Sequence, residues 1–262
     1  MTAAMVRQRA VAAPMRQPLP GSILDCATVI EVDNLFNNYA DGAWVSVACG
    51  PDRIIAAPLC SDAGGGLHPS KTFDAPTWAK SHNFALYRGV ACSAVGFEST
   101  LSDLEAAFDL AEGLAVAKAI SDIYQPTAAD ATAGYSPGTL SGSGVCAFAA
   151  LAGHAVTNYG AQPTYLLPVA SAVALTASQV LRALPNAQLA HAAGGCVALT
   201  PSLPSMLALG SVVIWRTPRV TQEVINPTTN QLSLLTERTY QVAVDCDYAS
   251  KAPTTIDCAV LP

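Results

Sequence analysis

The sequence predicts an α+β fold, and three features of the chain lead to this prediction. A helical pattern of apolar residues covers about residues 100–124, strand-like segments precede it, and a β-hairpin pattern lies near the C-terminus. Between the long helix and the hairpin, predicted helices alternate with a short buried strand, which is typical of a small α/β lobe. The 262 residues are enough for one large domain or two lobes with a sizeable core.

The first third of the chain predicts an arm, strands and a long loop. Residues 1–24 contain three prolines and three arginines without periodicity, which indicates an extended arm. Alternating apolar residues within 25–49 predict strands. Residues 50–82 are rich in glycine and proline, and a connection of this length usually has a function, so we expect a long hairpin that reaches away from the body. Strands then follow at Phe84–Tyr87 and Val90–Val95.

The helix at about 100–124 has the clearest pattern in the chain. Ser102 and Glu105 stand at the spacing of a capping box, and Gln125-Pro126 ends the helix. Its apolar residues lie broadly on one stripe, which predicts a core-facing side. The core positions that we expect are Leu101, Leu104, Phe108, Ala111 and Ala115, followed by Ile120 and Ile123.

The remainder of the chain predicts the small lobe and the terminal hairpin. Helices are expected at 143–158 and at Ser171–Leu184, with a buried strand at Tyr165–Pro168 between them. Two strand-rich segments, Ser211–Ile225 and Gln231–Cys246, are separated by a short turn-rich connection and predict the β-hairpin.

Charge is unusually scarce. Hydrophobic residues make up 51% of the chain and charged residues 12%, against about 25% charged residues in ordinary soluble domains. Either a membrane or other protein copies must therefore cover much of the surface. No uninterrupted apolar run reaches the roughly 20 residues of a spanning helix, and no signal peptide is recognisable. We expect an obligate oligomer made inside a cell.

The basic residues of the N-terminal arm leave two interpretations open. Arg7, Arg9 and Arg16 are the only charged residues before Asp25, although the whole chain has a net charge of −6. Such an arm could contact phosphate groups without base specificity, or it could be a solvated terminus.

The eight cysteines form no Cys-x-x-Cys pair, and we expect reduced thiols; bridges between Cys49 and Cys60 or between Cys246 and Cys258 are the alternatives.

Catalytic and metal-binding patterns are not recognisable. The four histidines are far apart, and none stands at metal-ligand spacing with another histidine or a cysteine. Gly142-Ser143-Gly144 lacks the Gly-x-Ser-x-Gly spacing of a hydrolase, so Ser143 is better explained as a helix cap. An acidic cluster on the long helix is best explained as a solvated face or an inter-subunit contact: Glu98, Asp103, Glu105, Asp109 and Glu112. We expect no enzyme, cofactor or metal.

Three stretches together resemble the major capsid proteins of actinobacterial tailed bacteriophages, with matching order and spacing from about residue 26 to 250. The segment Glu237-Arg238-Thr239-Tyr240, which closes the terminal hairpin, is the most specific part. The three stretches are Pro76–Phe97, the acidic helix Leu101–Ile123, and the C-terminal part made of Ser211–Arg219, Asn226–Asn230 and Leu235–Cys246.

This resemblance implies the tailed-phage (Hong Kong-type) capsid fold and a division of the chain. The expected parts are an N-terminal arm, an extended hairpin loop, a peripheral domain with a spine helix, and an α/β axial domain. Leu59, Leu67 and Lys71 would lie in an inter-subunit loop. The expected ranges are 1–35 for the arm, 36–49 for peripheral strands, 50–82 for the loop, 83–129 for the peripheral domain with the spine helix, 130–208 for the axial domain, and 209–262 for the return strands and C-terminus.

The resemblance also implies a structural virion protein. Hexamers and pentamers would assemble, in the host cytoplasm, into an icosahedral head around double-stranded DNA, which the arm would contact non-specifically. Decoration, portal and scaffold proteins are possible partners, and a membrane is not. Two alternatives stay open: a nanocompartment shell of the encapsulin type, and, from another class, a hydrolase with a serine or cysteine nucleophile.

Overall fold

The computed structural model describes the chain as an α+β fold with two β-sheets, which confirms the predicted class. It describes residues 20–33, 43–46, 77–93, 100–124, 144–159, 162–185, 188–191, 194–201, 206–226 and 231–245. The helices in this part are α1 (Ile23–Cys26), α2 (Thr100–Tyr124), α3 (Gly144–Tyr159) and α4 (Val169–Ala177). The strands are β1 (Thr28–Glu31), β2 (Ala43–Ser46), β3 (Thr77–Ser93), β4 (Thr164–Pro168), β5 (Leu181–Ala183), β6 (Leu189–His191), β7 (Cys196–Thr200), β8 (Leu207–Leu209), β9 (Val212–Arg216), β10 (Val220–Asn226) and β11 (Gln231–Val244).

The large sheet is built around β11. Its strand order is β1-β9-β11-β3-β2, and β10 also pairs with β11. One edge of β11 pairs antiparallel with β3 from Gln231↔Ser93 to Ala243↔Ser81, and the other edge pairs with β10 and then with β9. The predicted C-terminal hairpin is present, but its first segment is two strands. Pro218 explains the interruption, because proline has no N–H group for the ladder.

Two further predictions need correction. The expected strands at 84–87 and 90–95 form one continuous strand, β3, which spans Thr77–Ser93 and includes residues 77–82 of the expected hairpin loop. The helix expected at Ser171–Leu184 ends at Ala177, and β5 follows it. Gln179 has a φ of 61°, and the Val180 N–H donates to the Leu175 carbonyl, so a left-handed residue closes the helix.

The small sheet separates two apolar cores. Its strand order is β5-β6-β7-β4-β8. Alternate residues of β4 point to opposite faces, as a pleated strand requires. Tyr165 and Leu167 pack in a core with α3 and α4, whereas Leu166 packs in a core with α1, α2 and the large sheet. The small sheet is thus covered on both faces.

The buried stripe of α2 differs from the predicted one. Leu104 and Phe108 are buried, Leu101 and Ala115 are partly buried, and Ala111 is exposed. The prediction for Ala111 is therefore wrong. The buried residues recur every four positions, and this stripe includes a carboxylate: Leu104, Phe108, Glu112, Val116 and Ile120.

Residues 20–33, which we call the N-terminal strap, connect both sheets. Gly21 has a φ of 74°, and its carbonyl accepts from the Leu199 N–H of β7. Ile23 is fully buried beside α2. The strap then forms β1, which pairs parallel with β9. Residues 20–33 belong to the expected arm, 1–35, and they are bonded to both sheets.

The strap also contains a disulfide, so the expectation of reduced thiols is wrong for Cys26 and Cys196; Cys146 is disulfide-bonded as well. Cys26 is bonded to Cys196 of β7, and their Cα atoms are 5.4 Å apart. Their separation of 170 residues gave the sequence no local signal. The alternative bridges, Cys49–Cys60 and Cys246–Cys258, lie outside the described residues.

A substitution of Gly113 tests whether the strap packs closely against α2. A Cβ atom at this position would overlap the Ser22 hydroxyl and lie 3.1 Å from the Ser22 Cβ. We predict that Gly113→Ala lowers the free energy of unfolding by about 1–3 kcal/mol because the strap must shift. Chemical denaturation of the purified protein measures this change.

Gly153→Ala is the matched control, because Gly153 is also helical but a Cβ atom added there would meet no atom of the described residues within 4 Å beyond its own helical turn. It should gain up to about 1 kcal/mol from helix propensity. Equal effects of the two substitutions would contradict the proposed contact.

Candidate functional site

A buried carboxylate on α2 is the centre of the main polar cluster. The Glu112 side chain is 7% exposed, and its Oε1 accepts three hydrogen bonds. The donors are Arg238 Nη1 at 2.7 Å, the Tyr240 hydroxyl at 2.7 Å and Arg216 Nη1 at 3.0 Å. We call these four residues the Glu112 cluster. It joins the long helix to β9 and β11 of the large sheet.

Neighbouring ion pairs extend this attachment along the helix. Arg219 Nη1 lies 2.7 Å from both carboxylate oxygens of Asp109, and Nη2 lies 3.3 Å from Glu105 Oε2. Arg216 also reaches Glu31 of the strap, at 2.8 Å. Glu105, Asp109 and Glu112 therefore have arginine partners within the chain. For Glu112, which is buried, the predicted solvated face is wrong, whereas Asp109 is exposed and Glu105 is partly exposed.

The protonation of the Glu112 cluster favours a structural role. Burial raises the pKa of Tyr240, and its hydrogen bond to Glu112 raises it further, so the phenol stays neutral. Burial would lower the pKa of Arg238, but the hydrogen bond and negative charge of Glu112 outweigh this and raise it. A neutral phenol and a charged arginine are both suited to donating hydrogen bonds. Enclosed in this way, the carboxylate is poorly placed to act on a substrate.

The core of the small lobe contains an aromatic cluster of Phe148, Tyr165 and His191. Phe148 meets the other two rings edge-on at centroid distances of 5.0 and 5.1 Å. Burial raises the pKa of Tyr165 to about 12. Burial also lowers the pKa of His191, partly opposed by a backbone hydrogen bond at Gly194. This chemistry keeps both side chains neutral in a packed core.

The histidines lie in separate places. His82 meets the ring of Tyr124 edge-on at 5.5 Å, His191 lies in the aromatic cluster, and His154 lies in α3. Within the described residues, no group of three His, Cys, Asp or Glu side chains could hold a metal ion. The helices in the same residues include none long and apolar enough to cross a membrane.

Helices α3 and α4 present a surface without charged side chains. Neither helix contains Asp, Glu, Lys or Arg, and we call their outer surface the uncharged helical layer. Val173 is 65% exposed and Val156 is 45% exposed. The other exposed apolar or small residues of this layer are Ala149, Gly153, Ala170, Ala174 and Ala177.

A second apolar surface lies on the large sheet, where β3, β11 and β10 run side by side. Val224, Ser233 and Ala91 are register partners on one face, which also contains a shallow groove of about 590 Å³. Tyr87 is 74% exposed and Val224 is 62% exposed. We call this region the open sheet end.

Two sets of predicted site residues lie outside the described residues. They are the arm residues Arg7, Arg9 and Arg16 and the loop residues Leu59, Leu67 and Lys71. The Glu112 cluster was missed because its members are far apart in sequence. One signal was available: Arg238 and Tyr240 both belong to the most specific segment of the resemblance.

Comparison with solved structures gives similarities over most of the chain to structures from Mycobacterium and Microbacterium phages and to a further bacteriophage capsid. The chain is similar to one from Mycobacterium phage Che8, with 9% identity, a TM-score of 0.49 and coverage of 95% of this chain and 97% of that one. A structure from Microbacterium phage Oxtober96 has 13% identity and a TM-score of 0.46, and the match covers 92% of this chain and 90% of that one. The asymmetric unit of the bacteriophage PhiM1 mature capsid has 8% identity and a TM-score of 0.46, and the match covers 93% of this chain and 89% of that one. Neither a protein-family model nor a curated protein matches the chain.

Two fully buried tyrosines give a matched test of the Glu112 cluster. Tyr240→Phe removes one of three donors to a buried carboxylate, and we predict a loss of about 2 kcal/mol in the free energy of unfolding. The Tyr165 hydroxyl has no hydrogen-bond partner within the described residues, so Tyr165→Phe should be neutral or slightly stabilising. Denaturant unfolding at neutral pH measures both; equal losses would contradict the assigned role of Tyr240.

The raised pKa of Tyr240 also predicts a pH dependence. Above its ordinary pKa of 10.0 the unfolded chain releases the phenolic proton while the folded chain retains it. The free energy of unfolding should therefore fall as pH rises above 10, by up to about 1.4 kcal/mol per pH unit for each such tyrosine. Tyr240→Phe should make this fall less steep, and an unchanged slope would contradict the effect.

Proposed function

We propose that this chain is the subunit of a self-assembling shell, the major capsid protein of a tailed bacteriophage. In this proposal, hexamers and pentamers assemble in the host cytoplasm into the icosahedral head of the virion, which encloses double-stranded DNA. The protein is a structural component and not an enzyme. The support comes from the sequence resemblance together with apolar surfaces that a monomer would expose to water.

The uncharged helical layer is the observation that carries the proposal. Two neighbouring helices expose valines and alanines without a single charged side chain between them. A contiguous apolar surface of this kind is typical of a protein interface. A partner that placed charges against it would have to desolvate them without compensation. Another copy, which has the same uncharged surfaces, meets this requirement.

The open sheet end supports an assembly with more than one contact per copy. It belongs to the large sheet, whereas the uncharged helical layer belongs to the small lobe. Head-to-tail association joins two different surfaces and closes into rings, whereas a twofold dimer joins one surface to itself. Two separate apolar surfaces therefore favour rings, as hexamers and pentamers require.

Three arginines on or beside the large sheet are used within the subunit, which leaves them poorly placed for contact with DNA. Arg216, Arg219 and Arg238 each pair with carboxylates of the same chain. The net charge of −6 also disfavours extensive phosphate binding by the body. We therefore assign weak, non-specific DNA contact to the arm residues Arg7, Arg9 and Arg16. Leu59, Leu67 and Lys71 are proposed to contact a neighbouring subunit.

A pair of alanine substitutions tests the shell function. Ala174 on α4 and Ala106 on α2 are both exposed helical alanines, but only Ala174 lies in the uncharged helical layer. We predict that Ala174→Glu yields folded subunits that do not form shells, because the glutamate must lose its water at the interface. Ala106→Glu should assemble like the unsubstituted chain.

Size-exclusion chromatography with light scattering measures the assembly, and thermal unfolding of the isolated subunits confirms that both variants fold. Normal shells from Ala174→Glu would contradict the assigned interface. The contents of purified particles separate the two shell functions: DNA supports a virion, and a protein cargo supports a nanocompartment.

A further inference from the structure

The N-terminal strap is attached to the two sheets in different ways. On the large sheet, β1 pairs with β9 over four residues, and Glu31 forms an ion pair with Arg216. On the small sheet, the Leu199 N–H donates to the Gly21 carbonyl at 2.8 Å, and Gln188 Nε2 donates to the Asp25 carbonyl at 3.0 Å. The attachment to the small sheet is completed by one covalent bond, between Cys26 and Cys196.

We propose that Cys26 and Cys196 are a thiol–disulfide modification site that locks the strap onto the small lobe. Its reaction partner is a low-molecular-weight disulfide of the glutathione type. With both thiols reduced, the small-sheet end of the strap is held only by packing and hydrogen bonds, and it opens locally. Oxidation closes the bond and fixes the strap across both sheets. This site goes beyond the proposed shell function and does not depend on it.

The reaction balances without a further reagent. One cysteine thiolate attacks the oxidised partner and releases one small thiol, which leaves a mixed disulfide on the protein. The second thiolate then displaces the other small thiol and forms the Cys26–Cys196 bond. Two protein thiols are oxidised, one small disulfide is reduced to two thiols, and the protons from the cysteines end on those thiols. Both cysteines are partly exposed, so a small reagent can reach them.

A disulfide that only holds the strap in place slows local opening of the strap, whereas a disulfide that stabilises the whole fold slows opening everywhere. Opening of the strap alone exposes its own amides, whereas the cores around α3 and α4 keep their packing. Hydrogen exchange resolves such local opening, because each amide reports the free energy of its own exposure. A bond that stabilised the whole fold equally would change exchange throughout the protected regions.

The experiment compares the full chain after treatment with dithiothreitol and after treatment with oxidised glutathione, using hydrogen–deuterium exchange and mass spectrometry. We expect exchange in residues 20–27, the small-sheet end of the strap, to be about tenfold faster or more in the reduced chain. Exchange in β11, which contains no cysteine, should change by less than about twofold. Alkylation before proteolysis should find Cys26 and Cys196 free after dithiothreitol and protected after oxidised glutathione.

The double variant Cys26→Ser, Cys196→Ser is the control for other cysteines, because Cys146 is also disulfide-bonded. Its strap should exchange rapidly, and neither reagent should change that rate. Equal strap exchange in the oxidised and reduced unsubstituted chain would overturn the proposal. So would a uniform acceleration of all regions on reduction, or thiols at Cys26 and Cys196 that stay free in oxidised glutathione. These comparisons within the unsubstituted chain stand even if the double variant does not fold.

Discussion

A negative charge in the middle of a helix stripe is the constraint on which the rest of the body depends. Glu112 occupies a position where the spacing of α2 calls for an apolar side chain, and burial of an unpaired carboxylate is costly. Arg216, Arg238 and Tyr240 offset that cost only when β9 and β11 lie over the helix. The carboxylate therefore requires one particular position of the large sheet on α2, and the ion pairs of Arg219 reinforce it.

The sequence predicted the elements whose patterns are local. The long helix, the C-terminal hairpin and the small α/β lobe all follow from the spacing of apolar residues. The partners of the acidic residues could not be predicted in this way, because Arg216 lies 104 positions from Glu112 and Arg238 lies 126 positions away. The disulfide was missed for the same reason. Local errors had local causes: Gln179 adopts a conformation usual for glycine, and Pro218 divides an apolar run into two strands.

The distribution of charge connects this fold to the proposed assembly. Most charged side chains of the described residues belong to α2 and the large sheet, and several of them pair with one another there. The outer helices of the small lobe contain none. The scarcity of charge that the composition shows is thus concentrated on one surface. Such a surface suits repeated contact with identical copies better than contact with DNA or with water.

The central claim is that many copies of this chain form a shell, and imaging tests it most directly. The chain would be expressed alone, purified, and examined by negative-stain electron microscopy with light scattering on the same sample. Closed particles, or rings of five or six subunits, are the result that the account predicts. A monodisperse monomer or dimer at high protein concentration would contradict it.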